Sequence, residues 1–195
     1  MKFNLPNFLI QANAPISSIC RERGLNEFHQ VVDFIFKLPY RRNSSKQNLA
    51  LVFSEKCGVC STKHAALKLL ASENNFNDIR LVVGIYQMNE ENTPGVGNIL
   101  KKYELEFIPE AHTYLVYQNE RIDITREVES TTSPFESLLK EVEIQPNQIS
   151  EHKVALHQAF LNNWQIEQNI KYSAQLLWEI REECIQALSN PTPKT

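Results

Sequence analysis

Apolar positions along this chain change their period several times, and each change marks an element. Residues 1–24 have no period: Pro6, Pro15 and Gly24 interrupt scattered apolar residues, so an irregular or partly helical arm packed on the domain is predicted. From Leu25 the apolar residues step by three and four. Leu25, Phe28, Val32 and Ile35, widened by Val31 and Phe36, form the buried face of a helix that Pro39 stops. Residues 41–47 are polar, with turn chemistry at Asn43-Ser44-Ser45. Leu49 to Phe53 is apolar but too short to separate strand from helix. A helical run from Ser61 to Glu73 follows, with Ala66, Leu67, Leu70 and Ala71 on one side, and turn-prone residues 74–78 end it.

Ile79 to Tyr86, rich in β-branched residues, carries the strongest strand pattern. Asn89 to Gly97 is a polar loop of the size that borders sites. Its Gly95-Val96-Gly97 lacks the further glycine or Lys-Ser/Thr of a phosphate loop and reads as a turn. A short helix is expected over Asn98–Tyr103, a second strand over His112–Tyr117, a turn at Asn119-Glu120 and a third strand over Arg121–Thr125. The polar stretch from Glu127 to Ser133 ends at Pro134, which divides a core with its arm (1–133) from a helical C-terminal extension (134–195). In that extension Phe135–Val142 reads as helix, and so does the chain from Gln148 to about Leu188. Leu156, Phe160 and Trp164 share one face; Leu177, Ile180, Cys184 and Leu188 share another. These faces cap the domain or build a homodimer surface, and Pro191 and Pro193 lie in a closing tail.

Composition narrows the class. With 42% hydrophobic and 22% charged residues the chain is expected to be globular and soluble. A net charge of −3 with mixed signs gives no electrostatic footprint for nucleic acid, and Arg41-Arg42 and Lys101-Lys102 read as solvated surface. No apolar run approaches the roughly 20 residues that span a bilayer. Pro6, Asn4, Asn7 and Gln11 interrupt any signal-peptide pattern. The expectation is a cytoplasmic protein with no membrane partner. Four cysteines, only two of them close together, suggest free thiols in a reducing compartment rather than a disulfide scaffold.

The chemistry centres on Cys57-Gly58-Val59-Cys60, at the head of a helical run. A thiol at a helix N-terminus sits near unpaired N–H groups and the positive end of the helix dipole, and both favour the thiolate. His112 opens one strand and Asp123 lies on the next. A cysteine nucleophile needs an imidazole beside it, and the imidazole needs a carboxylate or amide to hold its orientation. His112 and Asp123 are eleven residues apart, so in a simple hairpin they face each other only if the turn centres between Tyr117 and Gln118. Asn119 lies later; a bulge or longer loop would absorb the difference.

Four segments, in order, resemble a known family. They are Phe28 to Tyr40, a helix ending in an aromatic; Gly58-Val59-Cys60-Ser61 with Ala65, Ala66 and Leu67; the strand Arg80–Tyr86; and His112-Thr113-Tyr114-Leu115 followed by Ile122-Asp123-Ile124-Thr125. Together they are similar to the transglutaminase-like proteins, which have the papain-like cysteine-protease fold. The resemblance covers roughly residues 25–126. Tyr114 stands where the family has Trp after the histidine, and Ile124 where it has Pro after the aspartate. The resemblance implies an α+β fold with a papain-like core, a helix packed on an antiparallel sheet. It implies acyl transfer on a peptide or other amide, as peptidase, amidase or transglutaminase. Cys60 would attack the carbonyl, His112 would activate the thiol and protonate the leaving amine, and Asp123 would orient His112. The Cys60 backbone N–H and an upstream donor would meet the oxyanion. No cofactor and no metal is expected.

Two other readings stand beside this one. Leu51-Val52-Phe53 before the cysteines and a helix after them also fit a thioredoxin-like thiol–disulfide oxidoreductase using Cys57 and Cys60. Residues 102–109 then resemble the stretch leading to that fold's cis-proline, and residues 118–120 its hairpin. The other is a non-catalytic binding domain of the papain-like fold. Cys57, Cys60, His64 and His112 have zinc-ligand chemistry, but their spacing matches no common zinc module. His64 otherwise reads as a surface or packing histidine, Cys20 and Cys184 as small core residues, and Glu110 as a substrate contact. The surface alternative for Asp123 is a pair with Arg121 or Arg126.

Overall fold

The computed structural model describes residues 3–127 and 133–189; the prolines of the C-terminal tail lie outside them. Pro15 pre-sets the first turn of helix α1 (Pro15–Glu22). The Glu73 carboxylate accepts the N–H groups of Ile16 (3.0 Å) and Ser17 (2.7 Å) at that helix start. Gln11 and Ala12 donate to Asn74, so the expected arm is bound to the far end of a later helix. The periodic run from Leu25 folds as α2 (Phe28–Lys37) with Phe28, Val31, Val32 and Ile35 buried. It starts at Phe28 because the Gln30 side chain accepts the N–H groups of Asn26 (2.8 Å) and Glu27 (3.1 Å). Leu38, ahead of Pro39, is already extended.

Leu49–Phe53, undecided from sequence, gives a single helical turn, α3 (Leu51–Ser54). Helix α4 (Cys60–Glu73) follows and packs against α1, α2, α3 and a 3-10 turn at Pro146–Gln148. Eleven of its 14 residues are buried. Then come β1 (Arg80–Met88), α5 (Gly97–Lys102), β2 (Ile108–Tyr117), β3 (Glu120–Ile122), β4 (Leu138–Ile144), α6 (Glu151–Glu167) and α7 (Ala174–Ser189). Among the described residues this is an α+β architecture with a four-stranded antiparallel sheet in the order β3-β2-β1-β4. No helix among them is long and apolar enough to cross a membrane.

Three boundaries differ from expectation. Strand β2 starts at Ile108 rather than His112 and takes in Pro109. Strand β3 stops at Ile122, leaving Asp123, Ile124 and Thr125 off its end. The stretch 135–142, expected to be helical, contributes instead to a 3-10 turn at Pro134–Ser137 and to β4. Leu, Lys and Glu are good helix formers, but strand pairing overrides a propensity of a few tenths of a kcal/mol per residue. Lys140, Glu141 and Glu143 suit an edge strand exposed to solvent.

The described residues fall into two compact units, neither of them a continuous stretch. One lies within residues 1–83, 112–127 and 142–150, the other within 84–111, 128–141 and 151–195. The first unit holds α1 to α4 and the β2–β3 hairpin tip. The core of the second joins Tyr86, Met88, Val96, Leu100 and Ile108 to Leu161 and Trp164 of α6 and Leu177, Ile180 and Cys184 of α7. The α7 face is the expected one. On α6 the buried stripe is His157, Leu161 and Trp164, rotated from the expected Leu156 and Phe160. His157 is buried because its ring bonds the Pro109 carbonyl at 2.8 Å and packs edge-on against Trp178.

Glu110, expected beside the site as a substrate contact, is spoken for in this second unit. Arg181 grips its carboxylate with two parallel bonds, Nε to Oε2 at 2.5 Å and Nη2 to Oε1 at 2.6 Å. Burial opposes the carboxylate, but the guanidinium outweighs it and holds the pKa down at about 2. Removing one partner strands the other charge in the core. Arg181→Leu should therefore lower unfolding free energy by about 3–5 kcal/mol. Glu110→Leu combined with Arg181→Leu should recover much of it, both read by urea denaturation. A single variant as stable as wild type would refute the pair's structural role.

Candidate active site

The site is built from the start of α4 outward, entirely within the first unit. Tyr40 pairs with Gly58 as an isolated parallel bridge, through Gly58 N–H to Pro39 O and Arg41 N–H to Gly58 O (both 3.2 Å). Only glycine fits at 58: a Cβ there would lie 2.9 Å from Lys63 Cγ and 3.1 Å from Thr62 Oγ1. Val59 is the extended N-cap, and its N–H donates to Thr62 Oγ1 (3.1 Å). Thr62 in turn donates to Asn43 Oδ1 (2.8 Å), while Asn43 Nδ2 donates to the Cys57 carbonyl (3.0 Å). This network seats Cys60 as the first residue of α4.

On the opposite side, the β2–β3 hairpin closes through Gln118 and Asn119, both with positive φ (49° and 66°), a two-residue turn of the kind that matches strand twist. The register is Tyr117↔Glu120, Val116↔Arg121 and Leu115↔Ile122. Counting on, Asp123 falls opposite Tyr114. His112 and Tyr114 share a strand face, their rings 6.2 Å apart. Asp123 is therefore the diagonal neighbour of His112, close enough to reach it without a bulge. The carboxylate Oδ2 lies 2.7 Å from His112 Nε2. Oδ1 accepts the Thr125 N–H at 2.8 Å, a local turn that aims Oδ2 at the ring. His112 also shares a hydrogen bond with the Cys60 side chain.

The three predicted residues thus form one hydrogen-bonded chain, Cys60 to His112 to Asp123. Burial favours the neutral His112 ring, but Asp123 and the Cys60 sulfur outweigh it and raise the ring's pKa to about 10. Burial likewise opposes the Asp123 carboxylate, and His112 overturns it, holding Asp123 well below the ordinary carboxylate range. Both signs describe an imidazolium between two anion-forming groups.

Lys63, which the sequence reading did not single out, and His64 complete the site. Lys63 is fully buried, and its ammonium donates to the carbonyls of Leu38 (2.6 Å) and Thr125 (2.7 Å). Burial pushes its pKa down to about 8. His64, read from sequence as a surface or packing histidine, is fully buried. Its Nδ1 lies 2.7 Å from the Cys60 carbonyl, and its Nε2 accepts the Ile124 N–H at 2.9 Å. Those partners fix the neutral Nδ1–H tautomer. Burial lowers its pKa to about 4. The available signal was the i to i+4 spacing of Cys60 and His64, which puts both on one helix face.

Cys57 is buried, and its sulfur faces Asn43 Nδ2 at 3.6 Å and the Arg41 guanidinium. Neither Cys57 nor Cys60 is in a disulfide. The segment before Cys57 is helical, not the strand a thioredoxin-like site requires. Cys20 and Cys184 are buried, and burial pushes each thiol up to about 12, as for inert core cysteines. Among the described residues no group of three or more His, Cys, Asp or Glu is arranged to hold a metal ion. In the glycine loop of the second unit, the Glu90 carboxylate accepts the N–H groups of Gly95 (3.0 Å) and Gly97 (2.5 Å), so the turn closes on its own anion.

Compared with family models, curated proteins and solved structures, the chain matches none.

The two site histidines set opposite pH limbs. His64 is neutral when folded, so between about pH 6.5 and 4 the unfolded chain binds the extra proton and acidification destabilises the fold. This ring contributes on the order of 3 kcal/mol across that window, helped in sign by buried His157. His112 is raised, so its contribution is complete below about pH 6.5 and is lost as pH climbs through 10. Urea denaturation at a series of pH values should show stability falling from pH 6.5 to 4.5, with a shallower slope in His64→Gln. Equal slopes would contradict the buried neutral state.

Proposed function

We propose that the protein is a cysteine-dependent acyl-transfer enzyme of the transglutaminase-like type, with a papain-like core, acting on peptide or other amide bonds. The observation that carries the reading is the hydrogen-bonded chain Cys60–His112–Asp123 at the N-terminus of a buried helix. The Cys60 thiolate attacks the amide carbonyl carbon. The His112 imidazolium gives its proton to the departing amine as the C–N bond breaks, leaving a thioester on Cys60. Neutral His112 then takes a proton from water or an acceptor amine, which attacks the thioester and releases the thiolate. Asp123 holds the ring and stabilises the charged form. Thiols rather than disulfides at Cys20, Cys57, Cys60 and Cys184 suit a reducing, cytoplasmic setting.

The test needs no known substrate. Iodoacetamide should alkylate Cys60 fastest at neutral pH, and His112→Ala should slow that at least about tenfold, the change that one unit of thiol pKa produces. Cys57→Ala should leave the Cys60 rate unchanged. A peptide-amide library should show turnover that Cys60→Ala abolishes and Cys57→Ala retains. Equal dependence on both cysteines would replace this reading with dithiol chemistry, and slow alkylation of both would replace it with a binding domain.

A further inference from the structure

The segment that supplies the acid of the triad, residues 123–125, lies beyond the end of β3 and has no ladder to hold it. What holds it is the helix that carries the nucleophile. Lys63 bonds the Thr125 carbonyl, and His64 bonds the Ile124 N–H on one side and the Cys60 carbonyl on the other. One buried ring therefore joins the backbone of the nucleophile to the backbone beside Asp123. It lies 3.5 Å from Asp123 Oδ1 and edge-on to His112, ring centres 6.4 Å apart.

From this geometry we infer that His64 is a positioning residue of the site: as a neutral Nδ1–H imidazole it fixes the distance between the Cys60 turn and the Asp123 segment, and so the aim of Asp123 at His112. The inference rests on the acyl-transfer reading of the same three residues. Packing alone does not account for the arrangement, since an apolar side chain would fill the space without costing a buried polar ring. The ring uses one donor and one acceptor, each on a different arm of the site. Its charged surroundings are Asp123, His112 and Lys63. Were the ring protonated, Nε2 would lose its lone pair and release the Ile124 N–H. The tautomer matters as much as the ring.

A glutamine at 64 offers an amide donor and a carbonyl acceptor, whereas leucine offers neither. Cys60 alkylation by iodoacetamide, followed against pH in wild type, His64→Leu, His64→Gln and His112→Ala, reads the thiolate–imidazolium pair directly. Loosening Asp123 weakens the imidazolium, so His64→Leu should move the alkylation midpoint up by about one pH unit, a tenfold slower rate below it. His64→Gln should stay nearer wild type. A purely structural role would lower stability and leave the midpoint of the folded protein in place. A wild-type midpoint in folded His64→Leu overturns the inference. If His112→Ala shifts the midpoint and His64→Leu does not, only this inference fails; if His112→Ala leaves it unmoved, the acyl-transfer reading fails and takes this one with it. Should His64→Leu not fold, nitrogen-15 NMR of the wild-type ring decides. A protonated Nδ1, with coupling from the Ile124 N–H to Nε2, supports the inference, and an Nε2–H ring overturns it.

Discussion

Helix α4 is buried on nearly every side although its first turns are polar, and much else in the first unit follows from that. A buried polar group without a partner costs on the order of 1–3 kcal/mol, and a buried charge costs more. Thr62, Lys63, His64 and Lys68 meet the requirement by bonding other stretches of chain: Asn43, the carbonyls of Leu38 and Thr125, the Ile124 N–H, and the carbonyl of Asn77. The helix thereby gathers the loop after α2, the end of the β2–β3 hairpin and the turn before β1 around its own start. Cys60 occupies that start. The same bonds that make burial of α4 tolerable bring a thiol, an imidazole and a carboxylate to one place.

Around one aspartate stand two histidines in opposite protonation states. His112 meets the carboxylate through Nε2 and also shares a hydrogen bond with the Cys60 side chain, and both partners favour its charged form. His64 receives a backbone N–H on the nitrogen nearer the aspartate, and that partner requires a lone pair. Burial disfavours the charge on both rings; on His112 Asp123 and the Cys60 sulfur outweigh it, and on His64 it prevails, with the Nε2 lone pair taken by the Ile124 N–H. Such divergence of neighbouring titratable groups is a mark of functional sites, though ion-pair networks of purely structural kind also produce it, as Glu110 and Arg181 do in the second unit.

Where a local period or a turn residue fixed the outcome, the chain was legible. The apolar face of α2, strand β1 and the hairpin turn are where the pattern sets them, to within a few residues. Cys60, His112 and Asp123 were legible through their order along the chain. What escaped depends on burial of polar residues. The sequence left His64 between surface and packing and did not single out Lys63 or Lys68, yet all three lie inside because distant segments supply their partners. The reach between His112 and Asp123 hinged on a one-residue difference in the turn, which settled a diagonal rather than a direct pairing. β4 has helix-forming residues whose fate is decided by strand pairing with β1.

Acyl transfer as proposed requires that Cys60 and His112 form an ion pair held by Asp123. Nitrogen-15 chemical shifts of the His112 ring, recorded across pH in wild type and in Cys60→Ala, test it most directly. A doubly protonated ring should persist well above pH 7 in wild type and deprotonate at lower pH once the sulfur is removed. A ring that titrates near the ordinary histidine value of about 6.5, alike in both proteins, would contradict it.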